Sequence, residues 1–202
     1  MLTIAKLDLA KAYPEYYKAT QKPQLVNFEP YHYLTCQGQC APEDAYFLGV
    51  IEAMYPLAYG IKFLCKTQEL DFVVPKMEAF WWVEGDLPYD ETPREEWHWK
   101  ILFRMPDFVC KSEFEQVVAK LKSEGKWNSQ FDIAFEEIHE GLSAQILHIG
   151  SYEEEEASLN TLHQFIQREG FEIAGKHHEI YLNDPRKTET GKLKTILRYA
   201  VK

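Results

Sequence analysis

The segment at residues 177–182, His-His-Glu-Ile-Tyr-Leu, combines residue types suited to acid–base chemistry and cation binding. Successive side chains of a β-strand point to opposite faces, so His177, Glu179 and Tyr181 should share one face. Burying a carboxylate among aromatic rings is costly unless a donor, a cation or water compensates it. The spacing makes Glu179 a candidate counter-charge or general base, with Tyr181 as a hydrogen-bond donor. The alternative is an exposed glutamate on a half-solvated strand.

Aromatic side chains are abundant, and several of them are candidates for the wall of a ligand pocket. The chain has 5 Trp, 12 Tyr and 12 Phe, a high share for a sequence of ordinary hydrophobicity. Aromatic rings bury large areas and bind flat or cationic ligands on their faces. Aligning the two halves of the chain places Phe80 and Trp82 on the face of Glu179 and turns Trp81 and Val83 toward a helix. The candidate ligand-binding residues are Phe80, Trp82, Trp99, Tyr55 and His148.

Other motifs favour structural interpretations. The sequence has no Gly-rich phosphate loop, no GxSxG, no HExxH and no Ser/His/Asp signature. A lone strand histidine such as His148 more often has a structural hydrogen-bonding role, and the acidic run 153–156 is typical of a solvated helix start. The four cysteines lack the CxxC spacing of zinc and redox motifs, which predicts free thiols and no metal. These cysteines are Cys36, Cys40, Cys65 and Cys110. We expect no cofactor, because neither ligand binding nor hydrolysis by a general base requires one.

The overall charge and hydropathy limit the classes of partner. The net charge is −10 and the pI is about 5.2, whereas a nucleic-acid-binding surface is usually basic. No stretch reads as a signal peptide or reaches the ~20 apolar residues of a membrane span. We therefore expect a cytoplasmic protein with a hydrophobic or cationic small-molecule ligand and no direct contact with nucleic acid or membrane. A protein partner is possible, and the sequence does not fix the oligomeric state.

The elements that must position these residues recur in the same order in both halves. Hydrophobic periodicity and glycine stops give a strand ending at Gly38, a helix ending at Gly60, and an extended segment over 61–67. The same strand–helix–strand–strand order returns after residue 135. We predict helices over 45–60, 111–123 and 154–169, and strands over 31–37, 80–84, 97–105, 143–149, 177–182 and 193–201.

This order predicts an α+β fold made of a duplicated strand–helix–strand–strand unit. Two such units would form antiparallel sheets with pseudo-twofold symmetry and a central groove between them. The alignment pairs residues 80–84 with 179–183, and a slip of one residue would invert every face assignment. The predicted divisions are an N-terminal helical arm and linker over 1–30, a first repeat over about 31–109, a linking helix over about 111–124 and a second repeat over about 135–202.

Four segments carry a resemblance to a known family. They are Phe-Trp-Trp-Val-Glu-Gly at 80–85, Arg-Met-Pro-Asp-Phe-Val at 104–109, Gln-Ile-Leu-His-Ile-Gly-Ser-Tyr at 145–152 and the run from His177 to Arg186. From about residue 20 onward the chain resembles the GyrI-like small-molecule-binding domains. The resemblance implies a duplicated fold around an aromatic pocket with an acidic residue, best matched by Glu179.

The family resemblance implies several functions. Some relatives are the ligand-sensing half of multidrug-responsive transcription regulators, from which this chain departs because it shows no DNA-binding domain. Some stand-alone relatives hydrolyse the cyclopropane ring of DNA-alkylating natural products, and others inhibit gyrase. The hypotheses are a sensor or sequestering module, a cyclopropane-opening hydrolase and a protein-binding inhibitor. In the hydrolase, Glu179 would activate water and Tyr181 would donate to the developing oxyanion, but the sequence cannot separate catalysis from a counter-charge.

Overall fold

In the computed structural model, which describes residues 6–85, 87, 89 and 91–202, eight strands form one curled antiparallel sheet. The strands are β1 Gln24–Phe28, β2 Tyr31–Gln39, β3 Met77–Trp82, β4 His98–Arg104, β5 Ala134–Ile138, β6 Gly141–Ile149, β7 His177–Tyr181 and β8 Lys194–Ala200. The helices are α1 Leu9–Ala12, α2 Pro14–Tyr17, α3 Ala45–Thr67, α4 Lys111–Ser123 and α5 Glu156–Arg168. The α+β class is confirmed. Residues 1–5 of the predicted arm lie outside the described residues.

The sheet has the symmetry of an internal duplication. Its strand order is β1-β6-β8-β7-β3-β4-β2-β5, which reads the same from either edge when the two halves are exchanged. Each half gives its first short strand to the other, because β1 pairs with β6 and β5 pairs with β2. β3 and β7 meet at the centre, so the pseudo-twofold axis passes between them. The duplicated order is therefore confirmed, within a single continuous sheet.

Two helices cover one face of this sheet, here called the front face. Against the first half, Phe47 and Val50 of α3 pack on buried strand residues such as Ile101. Against the second half, Leu162 and Ile166 of α5 pack on a separate cluster of strand side chains. Burying each large aliphatic side chain contributes about 1.5–3 kcal/mol, so the two clusters fix the helices over their own halves. The central strands β3 and β7 lie between the helices.

The helix α3 is longer than its sequence predicts. It continues through Gly60 to Thr67, so the predicted helix end and the extended segment over 61–67 are wrong. Buried residues continue at helical spacing through Ile61 to Cys65, and packing overrides the glycine signal. Gly60 serves a close helix contact, because a Cβ there would lie 2.5 Å from Val117 Cγ1 of α4.

By length and composition, α3 is also the one helix within the described ranges that could cross a membrane. The expectation that no apolar stretch approaches the length of a membrane span is therefore not met by α3. Its buried side, which includes Met54, Leu57 and Ala58, belongs to the core under the sheet. Its other side exposes the large apolar side chains of Leu48, Tyr59 and Phe63, so core packing accounts for only part of its apolar composition.

The N-terminal residues cover the opposite, back face of the sheet. Ile180, whose side chain alternates with that of Glu179 on β7, packs there together with Ile196 against Leu9, Tyr16 and Tyr17 of the arm. The segment between Pro23 and Pro30, expected to be a linker, contains β1 and pairs with β6. The arm and β1 therefore contribute to the same folded body as the two repeats.

A buried polar network joins the arm to the back face. The two ring nitrogens of His178 lie 3.0 Å from Glu78 and 3.0 Å from Glu140, so the ring donates to both carboxylates as an imidazolium. Arg198 donates to Glu140 and to the backbone carbonyl of Tyr16. Burial alone would raise the pKa of Glu140, but the charges of His178 and Arg198 outweigh it and hold this pKa at about 2.

We expect Gly60→Ala to destabilise the protein by about 1–3 kcal/mol, because the new methyl group overlaps Val117. In a Val117→Ala background the same change should cost little, since the overlap is gone and alanine favours the helix. The control is Gly191→Ala, where a Cβ meets no atom within 4 Å. Urea unfolding measures all four variants, and an equal cost of Gly60→Ala in both backgrounds would contradict this contact.

We also expect the network to make the protein acid-sensitive. Because the pKa of Glu140 falls from 4.5 to about 2 on folding, its stabilisation is present above pH 4.5 and is lost between there and about 2. Glu140→Gln should cost about 3–5 kcal/mol at neutral pH by leaving buried cations unpaired. This difference should shrink as the pH falls below 4.5. Glu137→Gln, on an exposed carboxylate, is the control, and parallel pH curves for Glu140→Gln and wild type would contradict the assignment.

Candidate functional site

The centre of the front face holds a carboxylate between the two helices. Glu179 lies opposite Ala79 of β3 on one side and Leu197 of β8 on the other. On the side of the first repeat, the residue that faces Glu179 is the small Ala79. Glu179 keeps 12% of its side chain exposed, whereas Ala79 and Leu197 are fully buried. The central groove is defined here by Trp81, Tyr152, Glu155, Glu179 and Tyr181.

Three groups on the sheet orient Glu179. His177 Nε2 lies 3.0 Å from Glu179 Oε1, and both residues are on β7. The Trp81 indole donates to the Tyr181 hydroxyl oxygen at 3.1 Å, which leaves the Tyr181 proton free to point toward Glu179. Burial and the charge of Glu179 raise the pKa of Tyr181 well above its ordinary value, so this phenol stays a donor.

A second carboxyl group lies beside the first. Glu155, at the start of α5, is 6% exposed and faces Glu179 and the Thr195 hydroxyl. Burial, followed by the charge of Glu179, raises the pKa of Glu155 to about 10. Within the part of the chain that the structure describes, Glu155 Oε1 has no hydrogen-bond partner. With this raised pKa, the Glu155 carboxyl group keeps its proton at neutral pH.

Aromatic rings form the rest of the groove and its mouth. Tyr152 packs edge-on against Tyr181 with ring centroids 5.7 Å apart, and Trp97 packs edge-on against Trp81 at 6.3 Å. Tyr89 lies on Trp97 at 4.3 Å. Burial and the charges of Glu179 and Glu155 raise the pKa of Tyr152 to about 12. An aromatic site with a central carboxylate can hold a flat or cationic ligand.

Phe80 and Trp82 do not lie on the front face of the sheet with Glu179. Antiparallel pairing sets Phe80 opposite His178 and Trp81 opposite His177, so the predicted placement of Phe80 and Trp82 beside Glu179 is wrong. Phe80 packs on His178 at 4.4 Å, and Trp82 stacks on His98 with the Lys176 ammonium 3.0 Å above its ring. By the pseudo-twofold symmetry, Met77 at the start of β3 is equivalent to His177 at the start of β7. The sequence alignment paired residue 80 with residue 179 and was therefore shifted by one position.

The other predicted binding residues lie farther from the carboxylate. Trp99 is on the front face but fully buried against Phe47 and Tyr46, and its indole donates to Cys40 Sγ. Tyr55, on α3, packs edge-on against Phe103.

His148 holds the turn before α5. Its two ring nitrogens lie 3.0 Å from the Ser158 hydroxyl and 2.9 Å from the Ser151 carbonyl, so both are occupied. A structural position of this kind was the more common outcome expected for a lone strand histidine. The imidazole fixes the 3₁₀ turn Tyr152–Glu154, which carries Tyr152 into the groove.

Three groove residues were missed by the sequence analysis. Trp81 was assigned to the wrong face, and a correct strand register would have found it. Glu155 was not recognised because it lies in the run 153–156, where the sequence pattern does not show which of the four glutamates is buried. Tyr152 was noticed only as a neighbour of His148, because its approach to Tyr181 depends on how α5 packs.

The same groove contains the one potential metal-ligand set found within residues 6–85, 87, 89 and 91–202. One ligand atom from each of Glu155, His177 and Glu179 lies within 4.8 Å of the others. Two carboxylates and an imidazole suit a divalent cation chemically, although the sequence predicted no metal. All four cysteines are free thiols and lie outside this set.

Comparison with known proteins gives one family. Residues 21–202 match the model of the GyrI-like small molecule binding domain. An uncharacterized conserved protein from Listeria innocua is 31% identical, with a TM-score of 0.90 over 98% of this chain and 100% of that one. A hydrolase from Listeria innocua is 30% identical, with a TM-score of 0.85 over the same shares. The EcmrR C-terminal domain shares the fold at 12% identity, with a TM-score of 0.58 over 90% of this chain and 97% of that one. No curated protein matches.

Proposed function

Because the chain belongs to the GyrI-like small-molecule-binding domain family, we propose that its ligand is a flat, hydrophobic or cationic small molecule that enters the central groove. The observation that carries this proposal is the position of Glu179 between α3 and α5, beside Trp81 and Tyr181. A partly desolvated carboxylate attracts a cation more strongly than one in water, and aromatic faces add dispersion and cation–π attraction. The free thiols fit a reducing, cytoplasmic setting.

The ligand would be held by three kinds of contact. Its flat face would stack on Trp81 and on the rings at the mouth of the groove, Tyr152 and Trp97. A positive charge would lie next to Glu179, while a polar oxygen would accept a hydrogen bond from Tyr181. A sensor or sequestering protein requires no more than this, because the ligand leaves unchanged.

A second candidate function is hydrolysis of a strained, electrophilic ligand of the cyclopropanoid type. It is favoured by the 30% identity to a hydrolase from Listeria innocua over nearly the whole of both chains. Glu179 would take a proton from water as the water oxygen attacks the ring methylene carbon. The breaking carbon–carbon bond would send its electron pair to the conjugated carbonyl, whose oxygen becomes an oxyanion. Tyr181 would stabilise that oxyanion, which stays on the product and becomes a hydroxyl group when it receives the proton held by Glu179, so the product gains one water.

The two proposed catalytic roles, general base and oxyanion donor, are comparable in magnitude. A general base typically accelerates a reaction by about 10²–10⁴-fold. One donor to an oxyanion contributes about 3 kcal/mol. Ring strain supplies part of the driving force, so these two groups would suffice without a redox step. Inhibition of gyrase through a protein contact has no supporting observation in the groove.

The binding proposal predicts a difference between two adjacent tryptophans. We expect Trp81→Ala to weaken binding of ethidium, a flat cation, by about tenfold because it removes a groove wall. Trp82→Ala, on the back face, should leave the dissociation constant within about twofold. Glu179→Gln should weaken ethidium binding about tenfold or more through loss of the counter-charge. Fluorescence titration measures these constants, and a larger effect of Trp82→Ala would place the ligand on the other face.

The hydrolase proposal predicts multiple turnovers of a duocarmycin-type cyclopropanoid. Mass spectrometry should show a product heavier by one water. Glu179→Gln should reduce the turnover rate by about 10²-fold or more, while this neutral substrate still binds. Glu153→Gln, an exposed neighbour of the groove, is the matched control. Wild-type turnover in Glu179→Gln would refute the catalytic assignment. Binding without turnover in the wild type would leave the sensor or sequestering function.

A further inference from the structure

Glu155, His177 and Glu179, called here the acid–histidine set, bring three metal-ligand side chains together in the central groove. Glu155 directly precedes α5, whereas His177 and Glu179 lie on one face of β7. One ligand atom from each lies within 4.8 Å of the others, and His177 Nε2 is 3.0 Å from Glu179 Oε1. Two atoms bound to one zinc ion at about 2.0–2.2 Å lie about 3–3.5 Å from each other. Small side-chain rotations would therefore suffice to place all three atoms on one ion.

A buried oxygen without a hydrogen-bond partner is a second, independent indication of a ligand at this set. Glu155 is 6% exposed, and its Oε1 has no hydrogen-bond partner within the described part of the chain. His177 Nδ1 is also buried without a partner there, so no hydrogen bond opposes the tautomer in which Nε2 offers a lone pair. Buried polar atoms in proteins are nearly always paired. An ion bound by the set would supply the missing partner of Glu155.

The neighbouring residue of β7 belongs to a cluster of the same residue types whose charges are already balanced. On the back face, His178 lies 3.0 Å from both Glu78 and Glu140. Arg198 adds a fixed positive charge there, because it donates to Glu140 at 3.1 Å. On the front face, no lysine or arginine of residues 6–85, 87, 89 and 91–202 forms an ion pair with either acid of the set. The front-face acids therefore have no protein cation like the one in the back-face cluster.

We propose that Glu155, His177 and Glu179 together bind one divalent transition-metal ion of the zinc type. Carboxylate oxygens and an imidazole nitrogen are zinc ligands, whereas magnesium and calcium take oxygen ligands. Three protein ligands leave a fourth position open to water or to a ligand oxygen, as in catalytic zinc sites. The ion carries two positive charges and balances both carboxylates, whereas an organic monocation balances one.

This inference goes beyond the proposed function and does not depend on it. Carboxyl groups bind a metal in their deprotonated form, so the ion takes the place of the proton that Glu155 otherwise keeps. The ion and an organic cation would both lie next to Glu179, and they therefore exclude each other. A metal-bound groove would instead favour a ligand that offers a carbonyl or carboxylate oxygen to the open position.

The experiment measures zinc binding by the untagged, full-length protein after treatment with a chelator and removal of that chelator. Isothermal titration calorimetry should show one zinc ion per chain. Glu155→Gln and His177→Ala should each weaken this binding by about 10²-fold or more, since even changes beside a metal ligand cost about 10–100-fold. The matched controls Glu153→Gln and His139→Ala, which change exposed residues of the same types, should bind within about twofold of wild type.

Cobalt(II) absorption identifies the types of ligand. The chain has four free thiols, which are alternative ligands for zinc and cobalt. Co²⁺ bound by the acid–histidine set should give visible d–d bands without the near-ultraviolet charge-transfer band of a thiolate ligand. Glu155→Gln should lose these visible bands. A thiolate band that persists in Glu155→Gln would place the metal on a cysteine and refute the proposal.

Two calorimetric results would also overturn the proposal. One is the absence of stoichiometric zinc binding in the wild type, and the other is binding that Glu155→Gln and His177→Ala leave unchanged. If Glu155→Gln failed to fold, as judged by circular dichroism, His177→Ala measured against His139→Ala would decide.

Assays with ethidium and with the cyclopropanoid in the presence of the chelator test the proposed function separately. Zinc binding in a protein that binds neither of these ligands would refute the proposed function and leave this inference standing. Ligand binding without zinc binding would do the reverse.

Discussion

The pairing of β3 with β7 is the constraint on which the rest of the structure depends. Because strand side chains alternate, this one ladder sends His177, Glu179 and Tyr181 to the front face and His178 to the back. The front face receives α3 and α5, and the back face receives the N-terminal arm. The same five residues of β7 therefore supply both the candidate site and the anchor of the arm.

The two faces differ in how their buried carboxylates are paired. On the back face, Glu78 and Glu140 are matched by His178 and Arg198, so this network is structural. The buried Arg104 guanidinium of the same face lies on the Tyr13 and Tyr31 rings and has no hydrogen-bond partner among the described residues. On the front face, Glu179 has His177 and the Tyr181 hydroxyl beside it but no lysine or arginine among the described residues, and its other neighbour is the acid Glu155. A fully paired network has no use for a ligand, whereas an underpaired carboxylate among aromatic rings attracts one.

Pseudo-twofold symmetry explains the location of the site but not its chemistry. The symmetry places Ala79 opposite Glu179 and Trp81 near Tyr181, so equivalent positions carry unlike residues. The duplication places one helix over each half of the sheet, and the groove lies at the axis between them. Divergence of the halves then gave one repeat the carboxyl groups and the other the indole wall, and a ligand would contact both.

The sequence by itself determined the order of elements, the duplication and the common face of His177, Glu179 and Tyr181, because these follow from local periodicity. The helix end predicted at Gly60 was wrong, because the sequence does not distinguish a glycine that allows close packing against Val117 from one that ends a helix. Only the tertiary structure decided that Trp81, and not Phe80 or Trp82, lies on the same face of the sheet as Glu179. It also decided that Glu155 is buried in the groove while the neighbouring glutamates are exposed. Register between strands and the seating of a helix are set by contacts between residues far apart in the chain, and a shift of one position reverses every face.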